Sequence, residues 1–324
     1  KIETCPLGVF PAPAFVADFP PVAPEFQRRT QRQRLRNLDT TDKKSSHKIR
    51  HRQIPREHGL LKEEDTMIEA FTLKSRGKDM VCLLEYKDPS VRGKKVVLYK
   101  HGFFGNKITP HRIMVNASHE LQEEGYTICR FDCAGAGDSE GDSHYTTIYG
   151  EIEDTKVVLH WIKENIRPEK FMILGYSMGG IVTSVLCNEV PLDGILLWSP
   201  CSEPYENFRH LLGADLFDRG LKGEDVDFMG DLVCHEFFEN LDAPQIDPLA
   251  AIKKFKKPLR LIQGDGDKDV LVYNSANYEK TVPGAVRHVV PGATHGYDKV
   301  SWQKELLEYT RKYVNDIMGD QLKG

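Results

Sequence analysis

Short apolar runs alternate with stretches of helical spacing over most of this 324-residue chain. Residues 67–73 and 80–86 flank a polar turn, Ser75-Arg76-Gly77-Lys78-Asp79, and predict an antiparallel hairpin. The run VVLY within 95–100 predicts a buried strand, and Ile113, Met114, Ala117 and Leu121 follow it at helical spacing. Residues 126–132 and 171–174 predict two more strands. Between them Ile148, Ile152, Leu159, Ile162 and Ile166 mark an amphipathic helix that Pro168 stops. Strands are predicted again at 194–199, 259–263 and 286–290, and Trp302, Leu306, Tyr309, Tyr313 and Ile317 line a closing helix. Eight strands interleaved with helices predict an α/β fold, with a mostly parallel sheet covered on both faces.

Two segments break this rhythm. Residues 201–257 interrupt the alternation and read as a helical lid, because long segments between core elements are usually functional. Tyr205, Phe208, Leu211, Leu212, Phe217, Phe228, Met229, Phe237 and Phe238 make that lid apolar, which favours an aromatic or medium acyl group beneath it. Residues 1–65 form a second exception, an arm with six prolines in its first 24 residues and a basic block after them. The predicted parts are therefore an arm at 1–65, a core at 66–200 and 258–324, and a lid at 201–257.

The sharpest chemical signal is FMILGYSMGG at 171–180. A buried strand, a turn at Gly175-Tyr176-Ser177-Met178-Gly179 and a helix from Gly180 onward make the elbow that lifts a serine hydroxyl above a sheet. A serine hydroxyl is a poor nucleophile at neutral pH, so it needs a histidine to take its proton and an acid to orient that histidine. Both are expected downstream of Ser177, the acid first. Asp265, Asp267 and Asp269 lie in the loop after the 259–263 strand, and His295 lies just after the last strand. Serine, acid and histidine then stand at the carboxyl ends of strands, on one rim of the sheet. The oxyanion of acyl transfer needs backbone N–H donors, and the amides of Met178 and Phe103 are placed to supply them. His101 reads as a loop-shaping residue, while His144 and His235 read as solvated, with no supporting pattern.

Five motifs recur in one order: His101-Gly102-Phe103; Arg130-Phe131-Asp132 with Gly135, Gly137 and Asp138-Ser139-Glu140-Gly141; the elbow; Gly264, Asp267 and Val270; and Gly292-Ala293 with His295. On these, residues 66–318 resemble the α/β-hydrolase superfamily and, within it, serine esterases similar to cinnamoyl and feruloyl esterases. The resemblance implies an eight-stranded α/β-hydrolase fold and cleavage of carboxylic esters through an acyl-enzyme. It assigns Ser177 as nucleophile, Asp267 as acid, His295 as base, and the Phe103 and Met178 amides as oxyanion donors. Glu203 stays a rival for the acid, since some relatives supply it from that strand end. No metal or organic cofactor is implied, the substrate is a small-molecule ester, and thioesters and amides stay open. The chain departs from those esterases at Ala134 and Ala136, where they carry Arg and His, and the basic arm has no counterpart in them.

Charge and cysteine usage add a partner and a compartment. Residues 1–60 hold 12 Lys and Arg against 6 Asp and Glu, a net +6, whereas the whole chain is −4. Three readings of the arm are open: a solvated tail, a docking arm through which residues 1–60 join a protein assembly in which the hydrolase fold is mainly structural, and a nucleic-acid contact. The last is disfavoured because aromatics do not interleave the basic residues. The block also resembles an organelle transit segment, mitochondrial among others, although Glu3 and Asp18 do not fit one. Lys1 in place of Met is read as trimming or processing. Seven scattered cysteines without a C-x-x-C pair favour free thiols in a reducing, intracellular compartment, cytoplasmic or organellar. No apolar run is long enough to span a bilayer.

Overall fold

The computed structural model describes residues 66–319. The arm predicted at 1–65, with its docking and transit readings, lies outside the described residues. Strands β1 (Met67–Ser75) and β2 (Lys78–Tyr86) form the predicted hairpin, whose central residues Arg76 and Gly77 both have positive φ, 48° and 77°. That turn matches the right-handed twist of the paired strands.

The remaining strands are β3 (Lys95–Lys100), β4 (Thr127–Phe131), β5 (Lys170–Tyr176), β6 (Gly194–Trp198), β7 (Val226–Phe228), β8 (Asp231–Val233), β9 (Leu259–Gly264) and β10 (Val286–Val290). All but β7 and β8 join one eight-stranded sheet in the order β1-β2-β4-β3-β5-β6-β9-β10. The pairs from β4 to β10 run parallel, and β1 and β2 add an antiparallel edge.

Alternate residues of each central strand feed opposite faces, as the period of two requires. Val96, Leu98 and Ile173 enter one apolar core, and Val97, Tyr99, Met172 and Leu174 enter the other. Helices α1 (Ile113–Glu123), α2 (Ile148–Trp161), α3 (Met178–Val185), α4 (Pro204–Leu212), α5 (Ala214–Gly220), α6 (His235–Phe238), α7 (Pro248–Ile252), α8 (Tyr273–Thr281) and α9 (Val300–Met318) complete the described elements of ordinary α-helix. α1 and α9 bury their apolar stripes in the second core, and α2 and α3 bury theirs in the first.

The helix predicted up to Ile166 is regular only to Trp161; a wider π turn carries it to Ile166, and Arg167, at φ 55°, ends it. The helix expected from Gly180 onward begins two residues earlier, at Met178, and runs to Val185. No apolar spacing announced α8, which buries Asn274 and Ser275 beside Tyr278.

Between β6 and β9 the insertion folds into α4, α5, the small β7–β8 hairpin, α6 and α7. Its phenylalanines pack edge to face on each other, Phe208 on Phe237 at 4.8 Å and Phe217 on Phe238 at 5.6 Å. They are buried and continuous with the first sheet core, while Met229 is 88 % exposed. The acyl preference expected from these residues therefore loses much of its basis, since most of them form the insertion's own interior. Cys82, Cys129, Cys133, Cys187, Cys201 and Cys234 are free and buried. Among the described residues no helix is long and apolar enough to cross a membrane.

Candidate active site

β5 delivers Ser177 to the rim. Ser177 has φ 58° and ψ −122°, a conformation that costs an L residue free energy and persists only where the surroundings impose it. Its N–H donates to Trp198 O at 2.9 Å, and its carbonyl accepts from Gly180 N at 2.8 Å, so both sides of the strained residue are tied. A Cβ at Gly179 would lie 2.4 Å from Lys100 O and 2.5 Å from His101 O; only glycine lets α3 start beneath the loop after β3. The same loop presses on the serine. A Cβ at Gly102 would lie 2.8 Å from Ser177 Cβ and 3.3 Å from its Oγ.

The acid and the imidazole come from the two strands at the far edge. His295 Nδ1 donates to Asp267 Oδ2 at 2.8 Å. Asp267 is buried, and its other oxygen accepts the amides of Asp269 and Val270 at 3.0 and 2.9 Å, which fixes the carboxylate before it meets the ring. The imidazole stacks on Tyr176, the residue before Ser177, with centroids 5.1 Å apart, and the Tyr176 hydroxyl donates to His295 O at 2.7 Å. Serine, imidazole and carboxylate thus share one end of the sheet, with Nε2 as the nitrogen not engaged by Asp267. Burial alone would push the His295 imidazole down. The hydrogen bond and charge of Asp267, with the charges of Asp269 and Asp298, outweigh it and hold the ring above its ordinary 6.5.

The rival acids are occupied elsewhere. Asp265 Oδ1 accepts from Gly292 N at 2.5 Å, stitching the β9 loop to the β10 loop, and Glu203 Oε1 accepts from Asn277 at 3.2 Å. Asp269 acts on His295 through its charge and gives its own amide to Asp267.

Met178 opens α3 directly after Ser177, and Phe103 follows Gly102, the residue of the loop after β3 that presses on the serine. Among the described residues neither amide has a protein acceptor. The Phe103 ring turns the other way, into the insertion, against Phe237 at 4.9 Å and Phe208 at 5.2 Å.

His101 shapes this loop. The fully buried ring lies 2.9 Å from Gly102 O through Nδ1, and its Nε2 accepts from Cys133 N at 3.1 Å. Burial, with the neighbouring Lys100 charge, holds the imidazole well below its ordinary value and therefore neutral.

Sequence reasoning missed the charges beneath it. Lys100, at the end of a strand read only as apolar, donates to His101 O at 2.7 Å and pairs with the buried Glu151 of α2 at 2.7 Å. Arg76, read as a turn residue, forks onto Asp154 at 2.9 and 2.7 Å, and Asp154 also accepts the Ala134 amide at 2.9 Å. The turn holding Ala134 and Ala136 is thus anchored from α2, whose Asp154 is itself held by Arg76 of the β1–β2 turn. The only warning was a Lys and an acidic pair inside apolar periodicity. His101, Cys133 and Glu151 bring donor atoms within 4.8 Å of one another, but the Lys100 ammonium already lies on Glu151, and His101 Nε2 already has a partner. A metal does not fit that set.

Comparison with known proteins agrees with this architecture. A family model described as serine aminopeptidase, S33, matches residues 93–218. The lysophosphatidylserine lipase ABHD12 of Danio rerio is 32 % identical over 151 residues, which are 42 % of this chain and 38 % of that relative, so the match spans well under half of the relative's length. Est1E of Butyrivibrio proteoclasticus, solved with ferulic acid bound, superposes with a TM-score of 0.64 at 18 % identity, covering 78 % of this chain and all of that one. Mouse alpha/beta hydrolase domain-containing protein 10 gives 0.61 at 14 % identity, covering 77 % of this chain and all of that one.

Proposed function

This chain has the α/β-hydrolase fold, and from that premise we propose that it is a serine hydrolase cleaving carboxylic esters through an acyl-enzyme. Ser177 Oγ attacks the acyl carbon as His295 Nε2 takes its proton, and Asp267 holds the ring in the tautomer that leaves Nε2 free to accept. Negative charge moves to the carbonyl oxygen, where the Phe103 and Met178 amides receive it; one such donor is worth about a hundred- to a thousand-fold in rate. The tetrahedral intermediate collapses as imidazolium returns the proton to the departing alcohol. Water, deprotonated by the same imidazole, then attacks the acyl group and releases Ser177.

The observation that carries this reading is the 2.8 Å contact between Asp267 and His295, braced by two backbone amides, at the rim where Ser177 is held in its strained elbow. That His295 sits above its ordinary value fits a base stabilised as imidazolium in the transition state. The family model and the proteins this chain resembles carry names from aminopeptidase, lipase and esterase chemistry. The leaving group is therefore the point to test.

Wild type and Ser177→Ala are treated with a fluorophosphonate probe and assayed on short p-nitrophenyl esters, matched thioesters and aminoacyl anilides. Wild type is expected to label and to prefer the oxygen esters, and the variant to do neither. Equal labelling of the two proteins removes Ser177 as nucleophile. Faster turnover of anilides than of esters replaces the ester reading with a peptidase one.

A further inference from the structure

Four side chains that looked unrelated in the sequence meet at the seam between the insertion and the core. His144 stands in the short 3-10 turn Ser143–Tyr145 after β4, Asp225 precedes β7, and His235 with Glu236 opens α6. His235 Nδ1 lies 3.0 Å from Asp225 Oδ1 and 3.6 Å from Glu236 Oε2, and His144 Nδ1 lies 3.9 Å from Asp225 Oδ2. Donor atoms of Asp225, His235 and Glu236 all fall within 4.8 Å of one another. Zinc holds nitrogen and oxygen ligands at about 2.0–2.2 Å, so neighbouring ligands of a tetrahedral ion stand about 3.3 Å apart. The two separations from His235 Nδ1 lie around that edge, and His144 approaches the other oxygen of Asp225.

The donor types point the same way. Calcium and magnesium take oxygen ligands, whereas two imidazoles with two carboxylates suit zinc and its neighbours in the first transition row. The local field also attracts a cation. Among the described residues no lysine or arginine pairs with Asp225 or Glu236; their ion-pair partners are the two histidines. This is the reverse of the buried His101 set, where an ammonium already occupies the centre.

We propose that His144, Asp225, His235 and Glu236 bind one zinc-class divalent cation that ties the insertion to the core. One ligand comes from the core loop and three from the insertion, so the ion closes a seam that one hydrogen bond, Leu232 N to Ser143 Oγ at 3.1 Å, already crosses. Phe237 follows Glu236 directly and packs on Phe103, so holding α6 in place also holds the insertion against the loop beside Ser177. The binding claim is independent of the hydrolase reading, and its test does not use activity.

Tag-free full-length protein, stripped with chelator, is titrated calorimetrically with zinc chloride and, separately, magnesium chloride. One saturable zinc site and none for magnesium are expected, with zinc raising the unfolding temperature as binding to the native state requires. His144→Asn and His235→Asn are each expected to weaken zinc by at least about tenfold, the scale of losing part of a metal's coordination, with unfolding in chelator matching wild type. His160→Asn, which loses only the Glu189 contact, is expected to bind as wild type does. No saturable zinc binding, or equal affinity in the His235→Asn variant, overturns the site. Affinity that survives His144→Asn overturns the tie between insertion and core.

Discussion

The carboxyl rim of the sheet and the 201–257 insertion use buried aromatic and charged residues in opposite ways. At the rim each candidate side chain is fixed by a directed bond: Asp267 by two backbone amides, His295 by Asp267, Ser177 by Trp198 O and a strained φ. In the insertion Phe208, Phe217, Phe237 and Phe238 hold one another by packing, and Phe208 and Phe237 touch the rim loop through Phe103. Directed bonds set geometry to tenths of an ångström, while apolar contacts set volume and stability. Substitutions at the rim should therefore change rate with little effect on stability, and substitutions in the insertion should do the reverse.

The largest break in that contrast comes at Asp267. Asp267→Asn keeps the shape of the side chain but exchanges an acceptor for a donor facing His295, favouring the wrong tautomer. Turnover is expected to fall by about 10³ to 10⁴, with ester KM and the urea midpoint little changed. Asp265→Asn, which touches Gly292 instead, should cost far less; an equal loss there would move the acid. The pH profile sharpens the assignment. His295 must be neutral to accept a proton, and its value is raised, so kcat/KM in wild type should fall about tenfold per pH unit below a midpoint above 6.5. Without the Asp267 charge, burial is left to dominate and the midpoint should move down.

That division also explains what could be read from the chain. The central parallel strands were visible because strands buried on both faces are short continuous apolar runs, β1 and β2 because they flank a polar turn, and the elbow because a Cβ at Gly179 would lie within 2.5 Å of a neighbouring backbone. The order Ser177, Asp267, His295 follows the chain order of the strands β5, β9 and β10 that carry them. α8 was invisible because its buried face is Asn274 and Ser275, held by hydrogen bonds to Ser202 and Gln263 rather than by apolar spacing. Arg76, Lys100, Glu151 and Asp154 were invisible for a related reason: their meaning lies in pairing across distant segments, up to 78 positions apart, which periodicity does not encode. The seam of His144 with His235 belongs to the same class.

A smaller effect is expected at Lys100, where rim and interior meet. Lys100→Met strands the Glu151 carboxylate in the core, and breaking a buried pair costs about 3–5 kcal/mol. Adding Glu151→Gln should recover much of that stability, because a neutral pair no longer buries a lone charge. It should not recover kcat, because His101 O has lost the ammonium that fixes the loop carrying Phe103. Urea unfolding and steady-state rates on the four proteins of this cycle separate the two terms. A double variant with both stability and kcat restored would make Lys100 a packing residue.

The smallest effects lie in the insertion, and they decide whether it shapes the site or only packs against it. Phe237→Leu keeps most of the volume and should cost less than about 1.5 kcal/mol, yet it withdraws the ring on which Phe103 rests. Met229→Ser, at the exposed hairpin tip, should stay within about 0.5 kcal/mol. If the insertion steers the Phe103 loop, Phe237→Leu will change kcat or KM by more than its stability loss predicts, while Met229→Ser leaves both alone. Rates that follow stability alone for Phe237→Leu would confine the insertion to a packing role, and a KM change at Met229 would move substrate contact to the hairpin tip.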